Sequence, residues 1–117
     1  MKILLLDDFR TRRNSLVDAL QKKKYEVTAC YGSNEFISSL EKQKFDVLLL
    51  DMESWNRGKA IYNQFAVAKK LENMPILFYN ANMNFSMLND RARHQKDRIL
   101  FKPTEVEAIV ASLLENR

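Results

Sequence analysis

The 117-residue chain has one cysteine, Cys30, one histidine, His94, two prolines and two glycines, Gly32 and Gly58. A single thiol excludes an internal disulfide, so the fold must be held by its core alone, and a reducing, cytoplasmic compartment is expected. Two isolated glycines cannot build a glycine-rich phosphate loop, which removes flavin and dinucleotide sites. With no cysteine or second histidine near it, His94 has nothing to make a zinc site with and reads as a surface residue. Long apolar runs are lacking too. The N-terminal run, Ile3 to Leu6, is closed at once by Asp7 and Asp8, so it is no signal-peptide core, and no other run approaches membrane-spanning length.

Charge of one sign is in modest excess, a net +4. The bases are scattered through Arg10, Arg12, Arg13, Lys22, Lys23, Lys24, Lys69, Lys70, Arg91, Arg93, Lys96 and Arg98, with no stacking aromatics interleaved. They read as solvated helix faces, and direct nucleic-acid binding is not expected. At 46% hydrophobic and 29% charged residues the composition is that of an ordinary globule, one domain over residues 1–117.

What the chain does have is a set of aliphatic runs that stop on polar tips. Phe45 to Asp51 is apolar without alternation after Asp46, the pattern of a parallel strand buried on both faces, and it ends on Asp51. Lys2 to Leu6 repeats the pattern and ends on Asp7 and Asp8. Tyr25 to Cys30 alternates instead, as an edge strand does. Pro75 to Asn80 and Arg98 to Pro103 make the fourth and fifth strands, the last ending on Lys102. Between them lie helical patterns: Arg10 to about Lys24, with Leu16, Val17 and Leu20; a helix capped by Ser33, with Phe36, Ile37 and Leu40; and Lys59 to Leu71 after a loop over 52–58. A polar segment from Asn82 to Asp97, read as the fourth helix, and a closing helix with a Thr104/Glu107 capping box complete the series. Alternating strands and helices predict an α/β, doubly wound, five-stranded parallel sheet. The order 2-1-3-4-5 leaves the alternating strand at an edge and sets the tips of the first and third strands side by side.

Asp7, Asp8 and Asp51 would then share one cleft, a self-repelling cluster that calls for a cation, and hard oxygen ligands suit Mg²⁺. Lys102 and the Asn80 amide would approach from the neighbouring strands. A carboxylate nucleophile, a divalent ion, a lysine and a hydrogen-bond donor are the parts of phosphoryl transfer to aspartate.

This ordered set, Asp7-Asp8, Asp51 and Lys102-Pro103, resembles the receiver domain of response regulators, of the flavodoxin-like CheY-like type, over essentially the whole chain. The resemblance implies that Asp51 is the phosphoacceptor and that Asp7, Asp8 and the backbone carbonyl of Glu53 join it in holding Mg²⁺. It implies a histidine kinase or phosphotransfer protein as donor, a cis bond at Lys102-Pro103, and no enzymatic activity beyond self-catalysed phosphorylation and dephosphorylation. The signal would pass to a protein partner through the fourth helix, fifth strand and last helix, from a monomer or weak dimer. The bases Arg91, Arg93, Lys96 and Arg98 on that side favour an acidic partner.

Two positions depart from the pattern. Asn80 stands where the family usually has Thr or Ser, and Ile99 where it often has Tyr or Phe. The loop after Asp51 carries Trp55, either a lid or a packing residue. These departures keep a second reading open, a receiver-like interaction module that signals without phosphorylation. The Asp51-Met52-Glu53 spacing supports a third, a small Mg²⁺-dependent phosphatase of the haloacid dehalogenase kind, weakened by the lack of a cap domain and of a second Asp.

Overall fold

The computed structural model describes residues 1–57, 74–81 and 97–115. Strands β1 (Lys2–Leu6), β2 (Glu26–Cys30), β3 (Val47–Asp51), β4 (Ile76–Ala81) and β5 (Arg98–Phe101) form one sheet. Its order is β2-β1-β3-β4-β5, with every described pair parallel, as expected. Helices α1 (Arg10–Lys22), α2 (Ser33–Lys42), α3 (Met52–Arg57) and α4 (Val106–Glu115) are described. The helix expected from Lys59 to Leu71, and almost all of the segment expected from Asn82 to Asp97, lie outside the described residues, as does Gly58.

The uninterrupted apolar runs of β1 and β3 are explained by cover on both faces. Side chains alternate across a strand. Ile3, Leu5, Val47, Leu49, Leu77 and Tyr79 therefore point to one side, where Leu16 and Leu20 of α1 and Ile109 and Leu113 of α4 meet them. Leu4, Leu6, Leu48, Leu50, Ile76 and Phe78 point to the other, against Phe36 and Leu40 of α2 and Met52. Each fully buried Leu stabilises the fold by roughly 1.5–3 kcal/mol. The edges are less protected: β2 and β5 are only partly covered, as the alternation in Tyr25 to Cys30 foretold for β2.

Three local expectations are corrected. The chain after Asp51 is no loop but enters α3 directly at Met52. Helix α2 takes Gly32 as its N-cap and has no side-chain capping bond, so Ser33 is its first helical residue. Thr104 does not form a capping box, because its hydroxyl accepts the Asn80 N–H at 3.0 Å and sits 3.0 Å from the Phe101 carbonyl.

Asn80 breaks the regularity of β4. Its φ of 54° lies in the left-handed region, and the β4–β5 register shifts between Phe78 and Ala81. Asparagine tolerates that conformation better than any β-branched residue. The Lys102-Pro103 peptide is cis, as the resemblance implied.

Candidate functional site

The carboxyl ends of β1 and β3 bring Asp7, Asp8 and Asp51 together, with a carboxylate oxygen of each within 4.8 Å of the others. Asp7 and Asp51 are fully buried; Asp8 is exposed. A buried carboxylate needs compensating donors, and both have them.

Asp7 is fully bonded. Its Oδ1 accepts the Phe9 N–H at 2.9 Å and Arg12 Nη2 at 3.0 Å. Its Oδ2 accepts Arg12 Nε at 2.6 Å and the Tyr79 hydroxyl at 2.6 Å. A carboxylate offers about four lone-pair sites, and here four donors meet them. The Arg12 fork also reaches Asp51, with Nη2 2.9 Å from Oδ2. The guanidinium carbon lies 5.2 Å from the centre of the Phe9 ring and 5.8 Å from that of Tyr79, close enough for both rings to steady the cation.

Asp51 is bonded unevenly. Besides Arg12, Oδ2 accepts the Ser54 N–H at 3.2 Å and lies 2.7 Å from the Ser54 hydroxyl. That N–H contact is the relation of an N-cap residue to the third residue of its helix, so Asp51 also caps α3. Ser54 Oγ lies 2.9 Å from Asp8 Oδ1 as well, and accepts the Asp8 N–H at 2.9 Å, which ties the tips of β1 and β3 together. By contrast, among the described residues Oδ1 of Asp51 has only the long 3.5 Å approach of Asn80 Nδ2. The Asn80 amide oxygen in turn accepts the Thr104 N–H at 3.1 Å.

The electrostatics follow from burial and neighbours. Burial pushes the Asp51 carboxyl above its usual range; the Ser54 hydroxyl opposes the rise, Asp7 adds to it and Arg12 opposes it. Burial works against the Arg12 charge, but the hydrogen bonds to Asp7 and the charges of Asp51 and Asp7 outweigh it, so its pKa rises further. The Tyr79 phenol is driven well above its normal value, first by burial and then by Asp7, and so remains a donor.

The acidic triad is thus assembled as expected, with Asn80 beside it. Lys102 comes to the same end of the sheet, where its ammonium lies 2.9 Å from Glu53 Oε1. Glu53, expected to offer its backbone carbonyl, engages Lys102 through its side chain. Ile99 lies in the edge strand β5 and packs on the core. Trp55 falls outside what is described of the side chains.

Four further residues build the site without being marked as site residues by the sequence: Ser54, Tyr79, Arg12 among the scattered bases, and Thr104, expected only as a helix cap. Arg12 passed for one of many surface bases, although Arg10, Arg12 and Arg13 open α1 with no acidic residue in the first turn. Cations are unfavourable at a helix N-terminus, and that conflict was the available sign of a carboxylate partner. Tyr79, a phenol in an otherwise apolar central strand, likewise had to find an acceptor.

The acidic cluster does not fit Mg²⁺ as it stands. Mg²⁺ demands oxygens at about 2.0–2.1 Å in near-octahedral array. The oxygens of Asp7 and the inner oxygen of Asp51 are already committed to Arg12 and to neutral donors, and a guanidinium 2.6–3.0 Å from them leaves no place for a second cation among them.

Residues 3–114 match the response regulator receiver domain family. Similar solved structures include the chemotaxis response regulator CheY4 of Vibrio cholerae, 22% identical over 99% of this chain and 98% of that one, with a TM-score of 0.73. A two-component response regulator from Clostridium difficile is 24% identical over 99% and 94% of the two chains, TM-score 0.71. A response regulator from Burkholderia pseudomallei, whose structure holds a phosphorylated aspartic acid, a calcium ion and citrate, is 22% identical over 96% and 65%, TM-score 0.73. No match was found among curated proteins. With the match spanning nearly the whole sequence, and the sheet order and strand-tip carboxylates in place, the chain belongs to the response regulator receiver domain family, the signalling domain of two-component systems.

Proposed function

We propose that this receiver accepts a phosphoryl group on Asp51 from a phosphohistidine of a histidine kinase or phosphotransfer protein, and passes the signal on by protein–protein contact. The observation that carries the reading is the asymmetry of the Asp51 carboxylate. Three donors hold Oδ2, while among the described residues Oδ1 has only the 3.5 Å approach of Asn80. Oδ1 is the nucleophile: it forms the new P–O bond as the P–N bond of the donor breaks, and the electron pair leaves with the imidazole nitrogen. Arg12 and Lys102 are the cations at hand for the phosphoryl oxygens, and Asn80 Nδ2 is the neutral donor. The oxygen is sealed in the resting protein, Asp51 being fully buried, so the donor must open the site before transfer. Magnesium, which the family resemblance implies at Asp7, Asp8, Asp51 and the Glu53 carbonyl, would have to displace Arg12 to take part.

The face expected to meet a downstream partner includes the edge strand β5 and helix α4, where Phe101 and Leu114 keep 47% and 39% of their surface exposed. Apolar side chains left open on an edge strand and the adjacent helix suit docking to a protein rather than to nucleic acid.

Treatment with phosphoramidate, a small donor with the same P–N bond, followed by intact-mass measurement, tests the reading. One phosphoryl group should be added to the wild-type chain and none to Asp51→Asn. One observation favours a different reading, signalling without phosphorylation: the usual hydroxyl position is Asn80, clasped by Thr104 at 3.0 and 3.1 Å. Absence of any adduct on the folded wild-type protein would select that second reading.

A further inference from the structure

We infer that Arg12 is the resident cation of the acidic pocket, standing where a divalent ion would otherwise sit, and that the resting protein therefore does not bind Mg²⁺ at Asp7 and Asp51.

The geometry is that of a filled site. Nε and Nη2 of Arg12 meet the two oxygens of Asp7 as a bidentate fork, at 2.6 and 3.0 Å, and Nη2 continues to Asp51 Oδ2 at 2.9 Å. One planar group thus bridges the carboxylates of β1 and β3, the task a metal would perform. Arginine suits it because its charge is permanent and its donors are fixed in a plane that matches a carboxylate. The remaining Asp7 positions are taken by the Phe9 N–H and the Tyr79 hydroxyl, each a donor. The Arg12 side chain is anchored from several sides. Its Cα is in the first turn of α1, its head is mostly enclosed, and the Phe9 and Tyr79 rings lie within 5.2 and 5.8 Å of it. For Mg²⁺ to enter, three charge-assisted contacts would have to be given up and the guanidinium moved aside. A unit positive charge held about 3 Å from the same oxygens opposes a divalent ion strongly at the low effective dielectric of a closed pocket.

This inference does not depend on whether Asp51 is phosphorylated. The two fail separately, since adduct formation is read by mass and cation occupancy by metal titration.

The test is a titration of the full chain with MgCl₂ followed by backbone amide NMR, with Mn²⁺ line broadening as a second probe. In the wild-type protein the amides of Asp7, Asp8 and Asp51 should show no saturable Mg²⁺ shift, and the melting temperature should not change with Mg²⁺. Arg12→Met, which removes the charge and keeps a flexible apolar stem, should gain a saturable site at those amides. Its affinity should exceed any residual wild-type binding by at least about tenfold. Saturable Mg²⁺ shifts at Asp7 and Asp51 in the wild-type protein would overturn the inference by themselves, so the wild-type arm decides even if the variant fails to fold. A folded Arg12→Met that binds Mg²⁺ no better than wild type would overturn it as well. Arg12→Lys, which keeps the charge but loses the fork, should remain closed to Mg²⁺ and serves as the folded control.

Discussion

Asp7 is the residue on which the site depends, because its buried carboxylate is neutralised by Arg12 and shared with a phenol two strands away in the sheet order. Removing the phenol hydroxyl alone takes away one of four donors from a buried anion. Tyr79→Phe keeps the ring in the core and should cost about 2 kcal/mol in urea unfolding, with Asp7 left short of one partner. An unchanged midpoint would mean that the Tyr79–Asp7 bond adds nothing to stability. Asn80 makes a second residue-level case. At φ 54°, a threonine there would bring the usual family hydroxyl into a backbone conformation its branched side chain resists. Asn80→Thr should therefore lose about 1–3 kcal/mol in thermal or urea unfolding, and more than Asn80→Gly, which shares the loss of the amide-oxygen half of the Thr104 clasp without the strain. The lone thiol gives a third. Burial pushes the Cys30 pKa up, with Ser39 acting in the opposite direction. Because the folded protein holds that proton more tightly than the unfolded chain, Cys30 contributes stability that is lost as pH rises through its folded pKa. Native Cys30 should accordingly resist a thiol-directed disulfide reagent at pH 8 and react at once in denaturant. Rapid native reaction would contradict its burial.

At the scale of elements, the apolar runs of β1 and β3 were legible because each is buried on both faces, and β2 because its alternation marks an edge. The strand-tip residues followed from there, since a parallel order of 2-1-3-4-5 leaves Asp7, Asp8 and Asp51 nowhere else to go. What could not be read was how side chains use local geometry. Gly32 caps α2 in place of Ser33, and Asp51 itself caps α3, so that what looked like a loop is helical from Met52. Thr104 and Asn80 satisfy each other across β4 and the start of the last connection, which consumed the hydroxyl expected to cap α4. Arg12 was hidden for a different reason. A basic residue among many bases carries no signal until its neighbours in space are known, and only its unfavourable place at the head of α1 set it apart. The same layering predicts the order of amide exchange. Leu48, Leu49 and Leu50 in the centre should exchange most slowly, and the edge strands β2 and β5 fastest. Equal protection across the sheet would contradict the partial cover of its edges.

For the molecule as a whole, the receiver scaffold brings Asp51, its acidic neighbours Asp7 and Asp8, and Lys102 to one end of a five-stranded sheet. This chain then adds its own cation there and closes Asp51 away from solvent. The proposed phosphoryl transfer needs a nucleophilic oxygen with positive charge beside it, and the Asp51 carboxylate with Arg12 next to it is the candidate pair. The measurement that bears on this most directly is the intact mass of the wild-type protein after phosphoramidate treatment with a metal chelator present throughout. One added phosphoryl group, lost in Asp51→Asn, is the predicted result, because Arg12 supplies in place the charge that a metal would bring. A folded wild-type protein that gains no phosphoryl group under the chelator, yet gains one when Mg²⁺ is restored, would contradict it.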